Sequence, residues 1–132
     1  MPHLQFEFNF NTDTENKQNF SSKIMEHFSE IMDTGTDHIG ITIREFENNG
    51  LFLGRVKNPD EPIAFVNADI REGRLYEQRR KLALIFMKEI NEFFSVPLSN
   101  MYVIFTEHKG EDFHLYERAL KSWQEGEDPL KD

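Results

Sequence analysis

The sequence predicts an α/β domain: two pseudo-symmetric β-α-β units forming one sheet, with two helices packed on one face. Three observations predict it. A strand–helix–strand pattern of hydrophobic spacing occurs twice. A proline opens each unit, Pro2 and Pro62, and each unit closes on a strand ending in glutamate, Glu45 and Glu107. The units cover about 2–46 and 62–107, with a C-terminal extension over 108–132, in one domain spanning 1–132. A single duplication is a weak repeat, and the pattern alone leaves open an ordinary α+β domain.

In the first unit, Leu4, Phe6, Phe8 and Phe10 alternate with polar residues, the period of a half-buried strand. Thr12 and Glu15 fit a capping box. The helix it predicts carries Phe20, Ile24, Phe28 and Ile31 on one face. Gly35 is the expected positive-φ residue at its end. Ile39, Ile41 and Ile43 alternate along the next strand, Asn48-Asn49-Gly50 marks a turn, and Leu51-Phe52-Leu53 reads as a short strand.

The second unit repeats the order. Residues 63–70 read as a strand. A helix is expected from near Leu75 to Phe94, with Leu82, Phe86, Ile90 and Phe93 on its core face. Pro97 limits its extension. Met101 to Phe105 is the next strand, and Asp112 to Trp123 the candidate terminal helix. Gln124 to Asp132 reads as a polar, fraying tail.

Composition narrows the function. The 132 residues carry 24 acidic and 15 basic side chains, a net charge of −9, which argues against nucleic acid as a partner. The absence of Cys removes disulfides, thiolate nucleophiles and iron–sulfur clusters, and suits a reducing, cytoplasmic setting. No apolar run approaches the roughly 20 residues of a membrane span. The start lacks a basic n-region, so no signal peptide is expected. His3, His27, His38, His108 and His114 show no metal-ligand spacing, and neither a metal nor a cofactor is expected.

Two features carry chemistry. Arg71-Glu72-Gly73-Arg74 falls between a predicted strand and a helix start. A helix N-terminus prefers anions, so two arginines there suit a bound carboxylate or phosphate. Local pairing with Asp69, Glu72 or Glu77 is the plainer alternative, and it treats both arginines as surface residues. The second feature is Pro2. Removal of Met1 would leave a secondary amine fixed at the start of a core strand. Burial and nearby cations lower the pKa of such an amine, which makes it a competent base or acid. The plainer alternative is a strand beginning at a proline.

Together these residues resemble the tautomerase superfamily, which uses an amino-terminal proline, duplicated β-α-β units and a homotrimeric ring. The similarity runs from Pro2 to about Arg118. It is strongest to the cis-3-chloroacrylic acid dehalogenase group, through Leu51-Phe52-Leu53-Gly54, Phe65-Val66 and Arg71-Glu72-Gly73-Arg74, and to the malonate semialdehyde decarboxylase group, through Asp37, although the arginines of that group stand one residue apart. The resemblance implies Pro2, Arg71 and Arg74 as catalytic residues, the arginines holding a substrate carboxylate. Phe52 and Tyr102 are then substrate contacts, and Asp37 and Glu117 candidates to position water. Departures are specific. The dehalogenase tyrosine falls on Ile104, with Tyr102 about 7 Å along the same strand face. Its water-activating glutamate falls on Leu115, with Glu117 displaced by two, and its helical histidine matches His27 only across a gap.

The reading that follows is a cofactor-independent tautomerase, moving a proton in a small 2-oxo or enol carboxylate. One alternative is a hydratase, dehalogenase or decarboxylase of a three-carbon acid. A non-catalytic trimeric binding module is the alternative of another class.

Overall fold

The computed structural model describes residues 2–47 and 49–128. Chain order is β1 (His3–Phe8), α1 (Thr14–Met32), β2 (Gly40–Glu45), β3 (Ala64–Arg71), α2 (Tyr76–Phe94) and β4 (Met101–His108). The sheet order is β2-β1-β3-β4. Each unit contributes a parallel pair, β1 with β2 and β3 with β4, while β1 and β3 meet antiparallel at the centre.

The alternation in the sequence sorts the two faces of this sheet. Leu4, Phe6 and Phe8 of β1, with Ala64, Val66, Ala68 and Ile70 of β3, are buried in the core with Phe20, Ile24, Phe28 and Met32 of α1 and Leu82, Phe86 and Ile90 of α2. Phe6 meets Phe20 and Phe86 edge to face, with centroids 5.0 and 5.6 Å apart. Each such ring stabilises the fold by about 1.5–3 kcal/mol through burial. The opposite face is polar. Gln5 Nε2 donates to Asp69 Oδ2 at 2.8 Å, Arg44 Nη1 to Gln5 Oε1 at 2.9 Å and Thr106 Oγ1 to Asn67 Oδ1 at 3.1 Å.

Helix ends depart from expectation for local reasons. The N-cap of α1 is Asp13, whose Oδ1 accepts from Asn16 N at 2.7 Å; it replaces the expected Thr12–Glu15 box. Thr12 N instead donates to Glu45 Oε2 at 2.6 Å, tying the helix start to the end of β2. Burial pushes the Glu45 carboxyl up, but Lys17 and the Thr12 N–H outweigh it and hold the group below its ordinary 4.5. The positive φ after α1 falls on Asp33, at 52°, and not on Gly35.

Three segments correct the sequence reading. Leu51-Phe52-Leu53 is loop, because no strand of the same chain runs beside it. Asp112 to Trp123 forms no helix. Residues Gly110–Asp112 make one 3-10 turn, Leu115 N donates to Arg118 O at 2.8 Å, and Leu120 N donates to Phe113 O at 3.1 Å. The chain there doubles back on itself, and its last residues bond to β3 and the turn after it through Arg71 and Glu72. Residues 124–128 of the expected fraying tail fold back too, Glu127 reaching Arg71. The turn at Asn49-Gly50 is present, with Asn49 at φ 69° and Gly50 N donating to Glu47 O. Asn48, Met1 and residues 129–132 lie outside the described residues. Among the described residues no helix is long and apolar enough to cross a membrane.

Candidate active site

The start of β1 and the end of β3 meet at one end of the sheet. Their register sets His3 opposite Asp69, so Pro2 lies one residue beyond, at the end of β3 that carries Arg71. Pro2 is buried, and its carbonyl accepts from Gly40 N at 3.0 Å. That bond ties the first residues of β1 to the start of β2. Asp37 lies three residues before Gly40, exposed in the turn at this end. The C-terminus of α1 and the N-terminus of α2 come to the same end, because α1 leads into β2, which starts here, and α2 follows β3, which ends here.

Both arginines are buried, Arg71 to 2% exposure and Arg74 to 5%, which removes them from the surface-pair class. Arg71 Nη1 donates to Lys121 O at 2.7 Å and Nη2 to Glu127 Oε1 at 2.5 Å. Its carboxylate partner is therefore fifty-six positions away in sequence. Arg71 also lines a concavity of about 360 Å³ with Arg118, Lys121, Glu127 and Asp128.

Arg74 takes a different course. Its Nη2 donates to Met32 O at 3.2 Å, and its guanidinium stands 4.9 Å from the centre of the Trp123 ring. The last turn of α1 contains no basic residue of its own. Arg74 supplies that missing cation at the negative end of the helix. Gln78 Nε2 donates to the neighbouring carbonyl of Ile31 at 3.3 Å, so the second unit closes the helix end of the first.

Of the other expected site residues, Tyr102 lies far from Arg71. Tyr102 pairs in register with Phe65, whereas Arg71 pairs with His108 six residues on; at about 3.3 Å per residue that is about 20 Å along the sheet. Phe52 is 67% exposed in its loop. Glu117 is exposed in the turn closed by the His114–Ala119 bridge. Ile104 is half-exposed on the polar face, and Leu115 half-buried in the C-terminal segment. His27 faces Glu89 of α2 at 3.2 Å between the helices.

The residues missed from sequence are Glu127 and Trp123. A carboxylate in a polar tail carries no local signal of a partner so distant. The one available hint was Leu120 with Trp123, an apolar pair inside an otherwise polar extension. A larger concavity, about 680 Å³, opens at the opposite end of the sheet, lined by Asn9, Asn11, Glu47, Asp60 and Pro62 among others. It has no basic side chain in its lining and does not suit an anion.

Solved structures share this fold. A member of the cis-3-chloroacrylic acid dehalogenase family superposes with a TM-score of 0.81 at 18% identity, over 91% of this chain and 84% of that one. The chain has the tautomerase fold. Native fused 4-OT matches with a TM-score of 0.77 at 16% identity, over 89% of this chain and 94% of that one. A macrophage migration inhibitory factor-like protein from Entamoeba histolytica gives 0.72 at 18% identity, over 90% and 98% of the two chains. Identity this low carries the tautomerase fold and not the reaction. No protein-family model matches the sequence, and a search of curated proteins finds no relative.

Proposed function

We propose that this chain is a tautomerase-like isomerase of small 2-oxo or enol carboxylates, working without a cofactor. Pro2, once N-terminal, takes a proton from the enol hydroxyl or an acidic carbon and returns it to a neighbouring carbon. Arg71 holds the carboxylate and stabilises the developing enolate. Arg74 fixes the turn that follows Arg71, through Met32 O and Trp123. One observation carries the reading: a buried guanidinium beside the start of β1 that already accommodates a carboxylate, that of Glu127. Asp37 and Glu117 stand exposed and Ile104 and Leu115 are apolar, so an activated water for hydration or dehalogenation has less support.

The test is conversion between the enol and keto forms of phenylpyruvate by protein beginning at Pro2. Arg71→Ala is expected to lower kcat/KM by about 10- to 100-fold, equivalent to about 1.4–3 kcal/mol of transition-state binding. Unchanged kcat/KM in folded Arg71→Ala would take the arginine out of the site. Absence of turnover in the parent protein would favour the binding module.

The proposed assembly is a homotrimer. Fused 4-OT structures with this fold are described as symmetric and asymmetric trimers. The exposed Phe52 and Tyr102, the latter distant from Arg71 in its own chain, would have a neighbour to meet in such a ring. Light scattering at micromolar concentration is expected to give three times the 15.7 kDa chain mass. A stable monomer would refute the ring.

A further inference from the structure

The C-terminal segment touches every residue of the 71–74 motif. Lys121 O and Glu127 hold Arg71. Trp123 N donates to Glu72 O at 2.9 Å, and Ser122 Oγ donates to Glu72 Oε1 at 3.0 Å. Gly73, at φ 118°, lies so near that a Cβ there would stand 2.2 Å from Trp123 O. The Trp123 ring lies beside Arg74. Gly110 underlies the same stretch, since a Cβ on it would fall 1.8 Å from the carbonyl carbon of Lys121. Residues 121–123 are thus fixed by backbone contacts that no side-chain motion releases.

Beyond Trp123 the character changes. Gln124, Glu125 and Gly126 are exposed. Gly126 has φ 85° and open space where a Cβ would stand. Glu127 hangs from this joint with its side chain 24% exposed, while the guanidinium it meets is 2% exposed. A guanidinium so buried is costly to leave without an anion. Glu127 keeps it paired through an arm anchored at Trp123 and jointed at Gly126.

We propose that Glu127 is an internal ligand of the Arg71 site, which a small carboxylate must displace in order to bind. The identity of that incoming ligand rests on the function proposed above. The exchange conserves charge: one carboxylate leaves Arg71 as another arrives. Glu127 therefore acts as a specificity-determining residue. A neutral ligand of the same shape cannot replace its pairing with Arg71 and is rejected.

Malonate, an unreactive small carboxylate, tests this by calorimetric titration, with malonamide as the neutral control. Trp123 is the sole tryptophan, so its fluorescence provides a second readout beside Arg74. Glu127→Gln keeps the size of the arm and removes the competing charge. It is expected to bind malonate at least tenfold more tightly than the parent protein, with no gain for malonamide. Equal malonate affinity in both proteins, an equal gain for malonamide, or no malonate binding by either would overturn the proposal. Phenylpyruvate turnover separates it from the functional reading. Turnover with equal malonate affinities sinks the internal ligand alone. Tighter malonate binding by Glu127→Gln without turnover in either protein upholds it and sinks the tautomerase reading.

Discussion

Protein beginning at Pro2 is expected to turn over an enol acid at least about 100-fold faster than protein that retains Met1, since a positioned acid–base group contributes typically 10²–10⁴-fold. The cause is electronic. An amide nitrogen shares its lone pair with the carbonyl and is no base, whereas a terminal secondary amine keeps the pair. Burial of Pro2 adds to this, because desolvation disfavours the protonated amine. The Pro2 carbonyl bond to Gly40 N does not involve the reacting nitrogen, so the fold is expected to be the same in both forms. Two preparations distinguished by intact mass, compared for rate and thermal midpoint, make the test. Equal rates at equal midpoints would remove Pro2 from the chemistry.

Arg74→Ala is expected to destabilise the chain by about 2–4 kcal/mol. Met32 O at the end of α1 would lose its donor in a buried setting, a loss of about 1–3 kcal/mol. The desolvated contact with Trp123 adds about 2 kcal/mol or less. Arg74→Lys keeps the charge but not the flat stacking surface, and should recover only part of the loss. Urea unfolding followed by Trp123 fluorescence gives the answer as a lowered midpoint at constant m-value. A parental midpoint for Arg74→Ala would free the guanidinium from the structural role assigned to it and return it to the substrate. A surface ion pair would be worth about 0–1 kcal/mol, and the larger expected loss comes from the burial of Arg74.

Periodicity made the sheet and both helices legible, because Leu4 to Phe8 and Leu82 to Phe93 carry their own burial pattern. Caps and ends were less legible. Thr12 and Asp13 both suit an N-cap, and what decides between them is Glu45, more than thirty positions on, which takes the Thr12 N–H. Residues 112–123 have enough apolar spacing for a helix, but Glu72 and Gly110 offer that backbone other partners. Tertiary contacts override propensity there. The pair of arginines was legible as a charge anomaly. Their separate partners were not, since Met32, Trp123 and Glu127 all lie far from residues 71–74 in the chain.

The duplication makes the two ends of the sheet counterparts. An approximate twofold axis between the antiparallel β1 and β3 carries the start of one strand onto the start of the other, so the Pro2 corner has a twin beside Pro62. The twin is the larger concavity, and its residues have gone another way. Pro62 is locked inside the chain and can never present an amine. In the twin's lining stands Asn9, whose Oδ1 accepts from Ile63 N at 2.7 Å and whose Nδ2 donates to Glu61 O at 3.0 Å. Glu47 and Asp60 then give the twin a negative rim. One corner is a rivet between the units, and of the two the Pro2 corner is the one that carries the buried arginines.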